Sequence, residues 1–408
     1  MTGDHTAPVY EADNATVAFE FANRPTPAGT NANGTYQVSV TQALGVTGSH
    51  PELEKSVSAL SGGLAVRTDS QGHVYRFAGM DRFDTAIKAS QQAWRSNGSA
   101  TDNRLPAQSV VLSRSDVFAD ALGGAALASH NHGPLLLTDS TSLTSATQAE
   151  IQRILPAGGK VYVLGGKAAI SPAVATKLAQ LGYTVDRIAG ADRYETAVDI
   201  ANAVDPNATD VLVATGTTYP DALSAGAAAA TFAHTVVVLT NGKSMPAATD
   251  AYLQTKAAGQ LKYLAAIGGS ADTALKSAHW QNYQALVGAD RYQTSYLVAH
   301  EIFLGFDHVG VATGANWPDS LAGGALMGTR GGPLLLVDPN VGLTAAENAM
   351  IDANRGADNW GYVFGGLNAL PLRVDNQLAA DVATATGSVA GPGHGAVPAL
   401  ATPNVVKN

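Results

Sequence analysis

The chain has no cysteine among its 408 residues. Disulfides, thiolate-ligated zinc and thiol catalysis are therefore excluded. Charge is also scarce. Only 14% of residues are Asp, Glu, Lys or Arg, and the formal net charge is -9, so no global basic field exists to hold nucleic acid. An anionic polymer would have to meet a local cluster of Arg or Lys. Aromatics make up 6%. No apolar run reaches the ~18 residues of a membrane span, so no membrane insertion is expected. The longest candidate, Ala225 to Leu239, is Ala-rich and broken by His234. Met1 to His5 show no leader pattern, which is compatible with a leader having been removed. The sequons at Asn14, Asn33, Asn97 and Asn207 are explained by chance in a chain rich in Asn, Ser and Thr.

What the chain has is apolar content of 46%, which is normal for a folded protein, and internal repetition. Three features recur in the same order. The first reads RFAGMDRFDTA from Arg76, RIAGADRYETA from Arg187 and ALVGADRYQTS from Ala285. The second reads VVLSRSDVFADALGGAALA from Val110, VLVATGTTYPDALSAGAAA from Val211 and VGVATGANWPDSLAGGALM from Val309. The third is a strand-like run ending in Gly165-Gly166, Gly268-Gly269 and Gly365-Gly366. The spacing is about one hundred residues, the size of a small domain rather than of a solenoid unit. Copy one carries an extra polar stretch, Arg95 to Gln108.

Each copy reads as alternating strand and helix. Asp81, Asp192 and Asp290 stand at helix starts, with Asp84, Glu195 and Gln293 three residues on in capping-box spacing. The β-branched runs from Val110, Val211 and Val309 are continuous rather than alternating, as in strands covered on both faces. Pro220 and Pro318 suit a first helical turn, as does Pro172 after Ser171. The helices that follow Pro220 and Pro318 are nearly all Ala, Gly and Ser, which permits close approach. Further strands are expected at PLLLTD, TVVVLT and PLLLVD, from Pro134, Thr235 and Pro333, and at Tyr183 to Val185. This pattern predicts an α/β fold of three tandem modules, each with a mainly parallel sheet flanked by helices.

These segments resemble the type 2 cell-wall-binding repeat of Gram-positive surface proteins, over about three-quarters of the chain. The resemblance implies three modules packed as a pseudo-threefold, triangular platform. It also implies non-covalent anchoring through an anionic secondary wall polymer, and an extracellular place at the cell wall or surface. It ties binding to the Pro-Leu-Leu-Leu strand, here Pro134, Leu135, Leu136 and Leu137, and Pro333, Leu334, Leu335 and Leu336. Copy two departs from this with His234-Thr235-Val236 and no proline. Copy one has Ala119 where proline is expected and Arg114 where glycine is expected. Copy three has Ala285 in place of the leading arginine. The three modules need not bind equally.

Module limits are expected at 75–185, 186–284 and 285–386. A strand-containing accessory segment, 1–74, precedes them and a flexible tail, 387–408, follows. The accessory segment offers strands at Thr16 to Phe21 and Thr35 to Val40 and a helix at Pro51 to Leu60. A hypothesis for it is packing on a neighbouring subunit.

Two readings stand for Arg82, Arg193 and Arg291. Each arginine either pins a loop or neighbouring module beside a capping Asp, or holds a phosphate or carboxylate in its planar donor fork. The Gly-Gly pairs either permit a turn or present backbone N–H groups to an anion. Asp120, Asp221 and Asp319 sit in first helical turns, where a carboxylate suits the dipole, and no base or nucleophile recurs with them. Enzymatic motifs fail. Asn241-Gly242-Lys243-Ser244 lacks the first glycine of a phosphate loop, since Val237 stands there. His300-Glu301 lacks the second histidine of a zinc-protease helix, since Leu304 stands there. His130 and His132 are not repeated in other copies. No catalytic residue, metal site or cofactor is expected. The competing role is self-association, as in an S-layer or filament. An enzyme with an attached array is disfavoured, because only about seventy residues lie outside the repeats.

Overall fold

The structure is a computed structural model. It describes residues 73–259, 261–354, 359–382 and 405–407, and the backbone of four short strands ahead of them. Those strands pair antiparallel as β1 (Ala7–Ala12) with β2 (Ala15–Phe19), and β3 (Tyr36–Val38) with β4 (Leu64–Val66). The helix expected at Pro51 to Leu60 lies outside the described residues.

From residue 73 the chain alternates as the repeat predicts. The first module runs β5 (His73–Phe77), α1 (Arg82–Ala93), β6 (Ser109–Arg114), α2 (Gly124–His130), β7 (Leu135–Thr138), α3 (Ser145–Ile154), β8 (Lys160–Leu164), α4 (Pro172–Gln180) and β9 (Thr184–Ile188). The second runs α5 (Arg193–Val204), β10 (Asp210–Thr215), α6 (Pro220–Thr231), β11 (Thr235–Thr240), α7 (Ala247–Ala257), β12 (Tyr263–Ile267), α8 (Gly269–Ser277), β13 (Trp280–Gln281) and β14 (Gln284–Leu286). The third runs α9 (Arg291–Ile302), β15 (His308–Thr313), α10 (Pro318–Arg330), β16 (Leu334–Val337), α11 (Ala345–Ala353), β17 (Trp360–Phe364) and α12 (Arg373–Val382). A last strand, β18 (Val406–Lys407), pairs antiparallel with β13. So at least these residues of the expected tail are seated, on the second module, where Lys407 meets Asp250 and lies 5.9 Å from the Trp280 ring.

Three four-stranded parallel sheets result, ordered β7-β6-β8-β9, β11-β10-β12-β14 and β16-β15-β17-β5. The third is completed by β5, the strand that opens the first module, through Trp360↔His73 to Phe364↔Phe77. Sheet membership therefore cuts across the sequence period and closes the array into a ring.

At the centre, α2, α6 and α10 each pack on the other two. Their Ala and Gly content is what allows this. A Cβ at Gly324 would sit at ordinary contact, 3.5 Å from the Ala125 Cβ and 3.7 Å from that of Ala227, whereas one at Gly328 would lie 2.8 Å from the Ala230 carbonyl carbon. Prolines 220 and 318 start α6 and α10 at their first turn, as expected. In copy one, with Ala119 in that place, the helix starts only at Gly124 and has 7 residues. One apolar core is continuous through all three modules, from Phe77 to Val382. A smaller one lies between β10–β12 and the outer helices of module two.

Candidate functional site

In each sheet the chain enters at a central strand, crosses to one side, and returns on the other. The switch points fall between β6 and β8, β10 and β12, and β15 and β17. Open parallel sheets place ligands in the crevice outside the carboxyl ends of strands at such points. Here each crevice is bounded on one side by the following module, so the array has three notches, one at each junction.

The same parts line every notch. Asp221 and Asp319 in the first turns of α6 and α10, and Asp120 in the turn that leads into α2, project onto the first glycine of the Gly-Gly turn. A Cβ on Gly165 would come within 3.0 Å of the Asp120 carboxyl carbon, and one on Gly365 within 2.7 Å of Asp319 Oδ2. Gly268 and Asp221 are equally tight. These first glycines have φ of +90°, +84° and +111°, values that L side chains rarely adopt. Their N–H groups are spent on the last sheet strand, donating to Ile188, Leu286 and Phe77 carbonyls at 2.8–2.9 Å. Gly165, Gly268 and Gly365 thus serve the turn and the carboxylate. Gly166 and Gly366 have open space against their Cα atoms.

The next module supplies the arginine. Arg82, Arg193 and Arg291 open α1, α5 and α9 immediately after the caps Asp81, Asp192 and Asp290, whose side chains accept from backbone N–H groups of the first turn. Asp84, Glu195 and Gln293 reach back, but to the N–H of the residue before the cap, Met80, Ala191 and Ala289, at 2.9, 2.8 and 2.6 Å. Each arginine donates through Nη1 to a carbonyl of its own module's first loop: Ser115, Gly216 at 2.7 Å, and Gly314 at 2.7 Å. The loop-pinning reading therefore describes one N–H of each guanidinium. Ser115, not Arg114, holds the glycine's place in copy one. Arg114 is the last residue of β6 and pairs with Asp116 at 2.6 Å.

The same guanidinium groups face the preceding module. Arg193 acts on Asp120, Arg291 on Asp221 and Arg82 on Asp319. Arg82 lies 5.9 Å from the Trp317 ring centroid and Arg291 5.8 Å from that of Tyr219. Phe118 meets the edges of Tyr219 and Trp317 at 5.5 and 6.3 Å, so three equivalent aromatics converge near the helix starts. Burial raises the pKa of all three carboxyls against the pull of the arginines, with Asp221 reaching about 6. For Asp319, a hydrogen bond with Thr85 offsets part of the rise.

The Pro-Leu-Leu-Leu residues do not line any notch. Pro134 and Pro333 are buried, and Leu135, Leu136, Leu137, Leu334, Leu335 and Leu336 are at most 2% exposed, inside β7 and β16. They have no surface to offer a ligand directly. Their contribution is the hydrophobic seat of a strand flanking the switch point. The structure thus places these eight residues inside the sheets and not on the surface of a notch. A continuous apolar run marks a strand covered on both faces but does not say which end of it meets solvent.

Other expectations resolve locally. Asn241 to Ser244 form a tight turn closed by reciprocal backbone bonds at 3.0 Å, not a phosphate loop. His130 Nε2 contacts the Ala229 carbonyl at 2.9 Å across the central helices. His300 pairs with Glu301 on the surface. Among the described residues no cluster of three potential metal ligands occurs, and no helix is long and apolar enough to cross a membrane.

Solved structures share this architecture. Cwp8 from Clostridium difficile superposes with a TM-score of 0.64 at 24% identity, covering 81% of this chain and 54% of that one. Cwp6 from the same organism gives 0.64 at 21% identity, covering 86% and 52%. By sequence, the chain is 27% identical over 322 residues to the N-acetylmuramoyl-L-alanine amidase LytC of Bacillus subtilis, covering 79% of this chain and 61% of that protein. It is 28% identical over 336 residues to the amidase enhancer of the same organism, covering 82% and 44%. The chain thus spans less than two-thirds of each relative. The profile of cell wall binding domain 2 matches three times, at residues 76–175, 187–274 and 285–375, and the chain belongs to the cell wall binding domain 2 family.

Proposed function

We propose that this cell-wall-binding surface protein is held non-covalently on the wall by an anionic secondary polymer, whose charged groups enter the notches between modules. One observation carries the reading. Three times, at a switch point, an arginine of one module faces the Gly-Gly turn and half-buried Asp of the module before it. A guanidinium that spends one N–H on a loop carbonyl keeps the rest of its fork for an oxyanion. We take the array itself as non-catalytic, and the activities in the relatives' names as those proteins' own. The resulting place is extracellular, at the cell wall or surface.

Co-sedimentation with purified wall tests this, before and after acid stripping of the secondary polymer. Binding lost on stripping, and lost in the triple variant Arg82→Ala, Arg193→Ala, Arg291→Ala, is the expected outcome. No binding to either preparation, with large particles in light scattering, overturns it in favour of self-assembly.

A further inference from the structure

The three notches share a backbone but not a charge balance. Between modules three and one, Arg76 on β5 donates through Nη1 to the Gly365 carbonyl at 2.6 Å. Its other edge is paired with Asp375 on α12, with Nε 2.9 Å from Oδ1 and Nη2 bonded to Oδ2. This arginine is neutralised inside the fold.

Between modules one and two, Arg187 holds the same strand position and donates through Nη1 to the carbonyls of Gly165 and Gly166, at 2.7 and 3.0 Å. Its acid is missing. Asp375 follows the buried Val374, which packs one turn before Leu378. The same buried pair on α4 is Val174 and Leu178, and the residue after Val174 is Ala175. The Nη2 of Arg187 is buried with no hydrogen-bond partner, and burial lowers the pKa of the guanidinium with no carboxylate to oppose it.

Between modules two and three, Ala285 replaces the arginine altogether. The acid is present as Asp272, one residue after the buried Ala271, but it is occupied by Lys276 at 2.7 Å and the Tyr283 hydroxyl at 2.8 Å. Around the first junction, then, Arg187, Arg193 and Arg114 face Asp120 and Asp116. Around the other two, cationic and carboxylate groups match in number: Arg76 and Arg82 against Asp319 and Asp375, and Arg291 and Lys276 against Asp221 and Asp272.

We propose that the notch between modules one and two is the principal oxyanion site of the array, where a phosphate or carboxylate of the ligand supplies to Arg187 the counter-charge that Asp375 supplies to Arg76. The inference rests on the wall-polymer reading and adds which junction does most of the work. A half-buried guanidinium with no carboxylate partner carries an uncompensated charge, so an anion that pairs it gains more there than at a junction already balanced. The Gly166 side of the turn is open, and its neighbour Lys167 is exposed.

The test is a pair of reciprocal substitutions, read by calorimetric titration with inorganic phosphate and, separately, glucuronate. Thermal melting checks that each variant is folded. The wild type is expected to bind one or both anions at a single dominant site. Ala175→Asp, which installs the missing acid, is expected to weaken that binding by about tenfold or more, the effect of one charge-assisted pair. Asp375→Ala, which frees Arg76, is expected to add a second site of similar affinity. Preference for phosphate points to a phosphodiester polymer, and preference for glucuronate to a uronate-bearing one. The assignment is overturned if neither anion binds, if folded Ala175→Asp binds like wild type, or if Asp375→Ala adds no site. Wall binding that survives unchanged in Ala175→Asp also overturns it while leaving the anchoring reading intact. Failure of the wild type to bind wall at all overturns anchoring whatever the titrations show.

Discussion

At the axis of the array, α2, α6 and α10 approach so closely that the backbone around Ala230 fills the space beside Gly328. At the rim, the outer helices of the second module, α5 and α7, leave a groove of about 770 Å³ between Val198, Ala251 and Tyr252. The equivalent groove between α9 and α11 is about 400 Å³. In the first module the same place is closed. Ser90 Oγ donates to the buried Glu150 at 2.5 Å, Glu150 pairs with Arg153 at 2.7 Å, and Arg153 bonds Trp94 and Asn97 at the start of the extra polar stretch. Helix packing at the axis admits one solution for three copies, because a side chain on any one helix intrudes on two neighbours. Each rim groove is lined by residues of a single module, and there the copies have diverged.

The comparison can be broken first at the ring closure. Truncating the chain through Phe77 removes β5 and with it Arg76. The β17 edge is left unpaired and Asp375, only 2% exposed, loses its partner. Removing one member of a buried pair costs about 3–5 kcal/mol before the lost strand is counted. The third module is expected to melt separately from the other two, seen as a second, earlier transition in calorimetry. A single unchanged transition would mean that β5 is dispensable.

Next, axis and rim can be set against each other by matched small changes. Gly328→Ala forces an overlap and is expected to destabilise by about 1–3 kcal/mol. Gly324→Ala has room, and gains the roughly 1 kcal/mol of helix propensity that glycine forgoes. Ala251→Ser, exposed at the rim, is expected to shift stability by less than about 0.5 kcal/mol. Chemical denaturation of the three variants decides it, and equal losses at Gly328 and Gly324 would refute the close-packing account.

A further expected effect, confined to one pH range, lies in the notches. Asp221 has a folded pKa of about 6, above its ordinary 3.8 because it is buried. The folded state therefore binds the proton more tightly than the unfolded one. Stability from this group is greatest below about pH 4 and falls as pH rises to 6. Asp221→Asn is expected to raise the melting temperature at pH 7, by an amount worth about 1–2 kcal/mol, and to show no gain near pH 3.5. A gain independent of pH would exclude burial of the charge as its cause.

Much of this was legible from residues alone. The recurrent Asp-Arg step, the first-turn prolines and the continuous apolar strands carry local physics, and the helices and strands they predicted are present. Ser171 does precede Pro172 at the start of α4, though its hydroxyl donates to the Thr141 carbonyl instead of capping. What could not be read was non-local. Nothing in Val74 to Phe77 says that its partner strand is Trp360 to Phe364 rather than a neighbour in sequence, because parallel pairing depends on a crossover whose length sequence pattern does not constrain. Arg187 and Asp120 look like separate repeats' landmarks until the fold brings both to Gly165. The burial of Leu135 to Leu137 likewise follows from helices on both faces of the sheet, which a strand's own residues only hint at.

The closure of the ring by β5 has a consequence for how such an array is used. Arg76, near the array's first residue, is bonded to Asp375, near its last. A unit whose entry and exit lie side by side can be joined to another polypeptide at its front or its back, or be inserted into a surface loop, without stretching either connection. The same geometry makes the array a candidate for circular permutation. New ends placed at the exposed Lys167-Ala168 turn, with the old ones bridged by a short linker, would leave every sheet with its four strands.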